Sequence, residues 1–195
     1  MTKIKRNRCY WCGDDPLYVE YHDKEWGVPI YDDEKMFELL LLENFQAGIS
    51  WITILRKREN FRKAFDNFDY KKIAKYSSEK LKTLRLDTGI IRNKLKIKSA
   101  KTNAICFLEI QKEFGTFSRY IWDFVGSKPI QNNFNFQSEL PQNTKLSDKI
   151  SADLKKRGFK FVGSTIIYAY LQAIGVVNDH TLNCFRHKEL STLNI

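Results

Sequence analysis

Apolar residues recur along most of this chain at steps of three and four, the period of a helix with one buried face. In residues 51–65, Trp51, Ile54, Leu55, Phe61 and Phe65 share such a face, and Ser50 stands where a helix start is capped. A second helix is predicted from Asp32 or Asp33 through Met36, Phe37, Leu40 and Leu41. Others are predicted over 78–86, 91–114, 118–125, 147–157 and 164–174, the last four stopped by Gly115, Gly126, Gly158 and Gly175. Alternating strand patterns around Asn-Gly or Asp-Gly turns are missing, so the expected fold is all-α. Residues 127–145, rich in Asn and Gln with Pro129 and Pro141, read as a surface excursion within one globular unit spanning 1–195.

The composition supports a folded core, with 43% hydrophobic and 14% aromatic residues in 195. The densest apolar stretch, 159–177, is interrupted by Lys160, Ser164, Thr165 and Gln172, which argues against a membrane span. No apolar segment follows the basic start of the chain, so a cytoplasmic protein is expected. The net charge of +10 is unevenly spread. Ten acids face only Lys24 and Lys35 between Asp14 and Glu43, whereas eight basic residues and the single acid Asp87 lie between Lys80 and Lys101. A stripe of that kind favours a polyanion, and nucleic acid is the usual one.

Three groups of residues could carry chemistry. Cys9, Cys12 and His22 lie near one end and His180 and Cys184 near the other, the last two spaced to share one side of a helical turn. A pair from each end would clip the termini through a four-coordinate structural zinc. Spacing alone leaves Cys9/Cys12/His180/Cys184 and Cys9/His22/His180/Cys184 both open. Next, Gly158 and Gly163 bracket a short turn between two predicted helices, with Lys155, Lys156, Arg157 and Lys160 beside it and Ser164 following. Free N–H groups at the start of the second helix could face a DNA phosphate there. Finally, Trp11, Tyr18, Tyr21 and Trp51 accompany Glu43, a carboxylate at the end of an apolar helix where the helix dipole disfavours it. Flat rings and one carboxylate suit a pocket that stacks a base and reads its hydrogen-bonding edge. Trp26 reads as a core residue.

Several stretches resemble the DNA-3-methyladenine glycosylase I family, bacterial base-excision repair enzymes of the helix-hairpin-helix superfamily. They are Arg8-Cys9-x-Trp11, residues 15–18, residues 21–29, Glu43-x-x-Gln-Ala-Gly-x-Ser-Trp51, Gly89-Ile-Ile-Arg92, residues 155–163 and Val177-Asn-Asp-His180. The resemblance implies a helix-hairpin-helix fold of two helical lobes, with the hairpin near 147–175 and one structural zinc on Cys9, His22, His180 and Cys184. It places the base pocket on Trp11, Tyr18, Tyr21 and Trp51, with Glu43 catalytic. DNA-backbone contact falls on Gly158, Phe159, Lys160, Gly163 and Ser164. The implied activity is hydrolytic excision of 3-methyladenine from double-stranded DNA by a monomer with no obligate protein partner. Asn178 stands where many superfamily members carry a catalytic aspartate, and Thr165 where lyase-competent members carry a lysine. A monofunctional enzyme follows from these two departures. The competing expectations are a zinc-stapled DNA-binding module without catalysis and a related glycosylase for another damaged base.

Overall fold

The computed structural model describes residues 6–46 and 48–192, with Ala47 of the Glu43–Trp51 motif outside them. Ten α-helices follow in order among these residues: α1 (Pro16–Lys24), α2 (Asp33–Gln46), α3 (Trp51–Ala64), α4 (Tyr70–Ile73), α5 (Ser78–Leu84), α6 (Lys94–Phe114), α7 (Phe117–Asp123), α8 (Lys145–Lys156), α9 (Ser164–Ala173) and α10 (Phe185–Ser191). Every residue of α2 from Met36 to Phe45 is buried. A helix buried on all sides needs neighbours on all sides, and α3, α6, α7 and α9 pack around it.

Side-chain caps set the helix starts more tightly than periodicity does. Asp32 accepts the Lys35 N–H at 2.8 Å, which starts α2, while Asp33 reaches across to the Phe117 and Ser118 N–H groups and fixes the start of α7. Asn93 caps α6 and Thr144 caps α8, moving those starts to Lys94 and Lys145. Ser50 makes no backbone cap; its hydroxyl pairs with that of Thr53. The helices α1, α4 and α10 have no counterpart in the sequence expectation.

The all-α expectation needs one correction. Ile130–Gln131 pairs in parallel with Val177–Asn178, a ribbon two residues long. Such a bridge is too short to leave an alternating pattern. It ties the 127–145 segment to the chain just before His180, so that segment is anchored over the molecule rather than free of it.

Between α8 and α9 the turn is plugged from inside. Phe159 and Val162 are buried, the Ser151 hydroxyl donates to the Val162 carbonyl, and the Ser147 and Ser164 hydroxyls meet at 2.8 Å. Asn103 of α6 holds Lys160 at both its N–H and its carbonyl. At the far end of α9, Gly175 has φ +71 and lies so close to the Val28 backbone that a Cβ would collide with it. Residues 27–30 thereby run alongside the end of α9, and Trp26 comes to rest beside His180.

Candidate nucleobase pocket and metal centre

Cys9, His22, His180 and Cys184 converge, their ligand atoms all within 4.8 Å of one another and every residue buried. Three sulfur–nitrogen separations are 3.4 Å: Cys9 Sγ to His180 Nδ1, Cys184 Sγ to His180 Nδ1 and Cys184 Sγ to His22 Nε2. A tetrahedral zinc with bonds of ~2.3 Å to sulfur and ~2.0 Å to nitrogen has S···N edges of about 3.5 Å, so the donor set fits that ion. The outer nitrogens are also committed. His22 Nδ1 faces Asp23 at 2.8 Å and His180 Nε2 faces the Trp26 carbonyl at 3.0 Å, which turns the other nitrogen of each ring inward. Asp23 is itself gripped by Arg8, and, against its burial, Arg8 and His22 hold its carboxyl below the usual range. Cys12 is buried but stands outside the group, its thiol facing the Gly13 carbonyl.

Next to this cluster, and sharing one small apolar core with it, lies a cavity of about 170 Å³. A cavity of roughly 150 Å³ takes up one benzene-sized ring, so the scale is that of a single heterocycle. Trp11 sits in the turn before α1, Tyr18 and Tyr21 are on α1, Glu43 is in the last turn of α2 and Trp51 opens α3. All five line the cavity, together with Trp26, Gln46, Gln137, Leu140, Ala169 and Gln172. The rings are tilted: Tyr21 and Trp51 meet at 53° with centroids 5.4 Å apart, and Trp11 and Tyr18 at 56° and 4.9 Å. They form a faceted cup rather than two parallel plates. Trp26, read from sequence as core, is buried and also lines the cup.

Most of the remaining wall leaves no mark in the sequence. Gln46 stands inside the quoted motif three places after Glu43, the one signal available for it. Gln137 and Leu140 come from the 127–145 segment and Gln172 from α9, and no local pattern marks any of them.

Glu43 is set apart by what it lacks. It and Glu38 lie on the same helix and are each 4% exposed. Burial would raise Glu38, but Arg58, Lys35 and Arg62 surround it and hold its carboxyl below the usual range. Burial acts on Glu43 with no cation to oppose it, and its carboxyl is pushed up to about 8. Its Oε2 and the indole nitrogens of Trp11 and Trp51 are buried without a hydrogen-bond partner. Buried polar atoms are normally satisfied, and these three all belong to residues lining one cavity. Three unsatisfied polar atoms thus cluster on the residues that line one cavity.

At the α8–α9 turn, the N–H groups of Gly158, Phe159 and Lys160 are taken internally, by the Lys155 and Leu154 carbonyls and by Asn103. The Phe159 ring is buried in the main core. Gly163 and Ser164, at the start of α9, are partly exposed, and Lys160 is exposed beside them. Lys160 and Phe161 share a shallow groove with Leu95, Lys98 and Thr102 of α6. Asn178 is buried away from the cup, its amide donating to Gln131 and to the His187 carbonyl. No helix among the described residues is long and apolar enough to cross a membrane.

A helical scaffold that sets one desolvated carboxylate among tilted aromatic rings, beside a Cys/His cluster that draws the two ends of the chain together, has the architecture of a base-excision DNA glycosylase. Comparison with known proteins narrows this. The methyladenine glycosylase family model matches residues 11–187, and the chain belongs to that family. It is 48% identical over 177 residues to DNA-3-methyladenine glycosylase 1 of Escherichia coli K12, covering 91% of this chain and 95% of that protein. The crystal structure of a 3-methyladenine DNA glycosylase I superposes with a TM-score of 0.89 at 46% identity, covering 92% of this chain and 98% of that one. A point variant of such an enzyme in complex with 3-methyladenine also superposes at 0.89, with 33% identity over 92% of this chain and 96% of that one.

Proposed function

We propose that the protein is a monofunctional glycosylase that takes a 3-methyladenine nucleotide out of duplex DNA and hydrolyses its glycosidic bond. The observation that carries this reading is Glu43, a buried carboxylate without a counter-ion in an aromatic cup. Methylation at N3 gives the adenine a formal positive charge, so it departs neutral and its bond to the sugar is already weak. Glu43 as an anion would hold that cation and the charge that passes to the sugar as the bond breaks. Trp11, Tyr18, Tyr21 and Trp51 would present ring faces to the base, each good cation–π contact contributing ~0.5–2 kcal/mol. Normal adenine shares the edge but carries neither the charge nor the weakened bond, so it is rejected chiefly at the chemical step.

The absence of a lysine at Thr165 supports hydrolysis without a Schiff base, and the absence of a carboxylate at Asn178 leaves Glu43 to stabilise the charge. Incubation with methylated duplex DNA is expected to release free 3-methyladenine, with no strand nicking and no protein–DNA adduct under borohydride. Release of a different base alone, or of none, would overturn the substrate assignment; a trapped adduct would overturn the monofunctional one.

Duplex DNA is read as held by a helix-hairpin-helix element, α8 and α9 with their turn. With the N–H groups of residues 158–160 used internally, phosphate contact falls to Gly163 and Ser164 at the start of α9 and to the Lys160 side chain. The groove that Lys160 shares with Lys98 joins this turn to the basic stretch of α6. Replacing Lys98 and Lys160 together by Ala is expected to reduce the slope of log K against log salt by about 1–2 for damaged and undamaged duplex alike. An unchanged slope in titrations from low to moderate salt would remove this groove from the DNA path.

One zinc ion per chain, on Cys9, His22, His180 and Cys184, completes the reading. Four protein ligands leave no position for water, so the metal would supply structure and no chemistry.

A further inference from the structure

The two imidazoles of the Cys/His cluster rest on acceptors of different kinds. His180 Nε2 meets the Trp26 carbonyl, a main-chain group that stays with the fold whatever side chains surround it. His22 Nδ1 meets a side chain, Asp23 Oδ1, at 2.8 Å. An ionised carboxylate only accepts, so Nδ1 carries a proton and Nε2 is left with the lone pair a metal needs. The Cys9 N–H, aimed at Nε2 from 3.2 Å, fits a lone pair at that atom. Asp23 is in turn gripped in two places. Arg8 Nε donates to Oδ1 at 2.8 Å and Arg8 Nη2 to Oδ2 at 2.7 Å, which fixes the plane of the carboxylate.

Arg8 precedes Cys9 and Asp23 follows His22, so the ion pair joins the same two points of the chain as those two ligands. The loop it closes carries Trp11, Tyr18 and Tyr21, three of the rings that line the cup. His180 and Cys184 are four residues apart and are placed by local backbone, the Cys184 N–H bonding the Thr181 carbonyl. Cys9 and His22 are 13 apart and have no such short connection. Resting on the zinc reading above, we infer that Arg8 and Asp23 are positioning residues for the metal centre. They hold His22 in the ligating tautomer and beside Cys9, and so set how tightly the ion is kept. Their side chains are 32% and 18% exposed, and an ion pair that accessible contributes little to stability by itself. Its consequence falls on the ring it orients, where loss of such a partner typically costs 10–100-fold in metal affinity.

The test measures zinc itself. Affinity is read by competition with a chromophoric chelator, and release by the rate at which that chelator takes the ion from the holoprotein. Asp23→Asn keeps the size of the side chain and an acceptor oxygen but loses the charge and one arm of the Arg8 grip; it is expected to weaken zinc binding by about 10–100-fold. Arg8→Met leaves the carboxylate in place but free to turn, and a smaller loss of at least about threefold is expected. The double variant should hold zinc no more weakly than Asp23→Asn, because Arg8 acts through Asp23; additive losses would strike Arg8 from the assignment. Cobalt loaded in place of zinc should give the wild-type visible spectrum in every variant, since the four ligand atoms are unchanged. Circular dichroism of the zinc-loaded proteins establishes that they fold, and Cys12→Ala, a change at a buried thiol outside the ligand set, should leave affinity as in wild type. Affinity and release within about twofold of wild type in either folded single variant would overturn this inference and leave the zinc reading intact. A wild-type protein that takes up no zinc would sink that reading and this one together.

Discussion

Glu43→Gln is expected to lower kcat/KM for 3-methyladenine release by about 10²–10³-fold while making the folded protein more stable at pH 8. The two effects have one cause. Glutamine preserves the shape of the side chain and an acceptor oxygen but cannot carry the charge that a cationic base calls for. In the free protein that charge is costly, since burial alone pushes the Glu43 carboxyl up to about 8. A carboxyl whose folded pKa exceeds its unfolded value binds its proton more tightly in the folded state. Stability is therefore greatest below about pH 4.5 as far as this group is concerned, and declines as pH rises toward 8. The decline is on the order of 4 kcal/mol, and the glutamine variant, having no proton to lose, escapes it. Melting curves of the two proteins should separate progressively across that window and run parallel above it. In the wild type, kcat/KM should climb with pH and level off above about 8 as the free enzyme gains the Glu43 anion. The residual activity of the variant should lack that rise. Wild-type rates in Glu43→Gln would remove the carboxylate from the chemistry.

Why the sequence discloses some of this and hides the rest follows from where each residue finds its partner. Glu43 could be singled out because a carboxylate interrupts an apolar helix near its C-terminal end, a local anomaly. His180 and Cys184 stand out by their spacing alone, and the family resemblance points to His22 over Cys12. In the structure His22 Nε2 meets Cys184 Sγ at 3.4 Å while Cys12 turns to a carbonyl. The helix α1 is hidden because its faces serve different ends. Tyr18 and Tyr21 line the cup, His22 turns to the cluster and Leu17 is exposed, so no single apolar stripe forms. Gln172 reads as one polar residue breaking an apolar helix; its partner Asp179 lies seven places on and also holds Asn132, in a segment that reads as surface loop. Helix starts drift by a few residues for the same reason in miniature, since the capping side chains Asn93, Thr116 and Thr144 decide them.

If the Cys/His cluster holds the zinc proposed for it, removing that ion is expected to abolish base binding while leaving most of the helical content in place. The Cys/His cluster and the cup are two ends of one small core, in which Cys9, Cys184, Tyr21, Trp26 and Leu55 are packed by Trp11, Tyr18 and Trp51. The far larger core around α2 is built mainly from other residues. Structural zinc sites contribute on the order of 10 kcal/mol, more than so small a cluster could replace by packing. Without the ion, two thiols and two inward ring nitrogens are left to hydrogen bonds at 3.4 Å, far weaker than four metal–ligand bonds. The segment carrying Trp11 and α1 then loses its tether to the chain around His180, and the ring walls of the cup go with it. The expected behaviour is local unfolding rather than global collapse. Prolonged chelation, or His22→Ala, should therefore eliminate quenching of tryptophan fluorescence by 3-methyladenine with only a modest loss of far-ultraviolet helical signal. Cys12→Ala should keep one zinc by elemental analysis and bind the base as wild type does. If the zinc-free protein still bound 3-methyladenine with wild-type affinity, the cup would have to be supported by the main core alone, and the role given to the four ligands would fail.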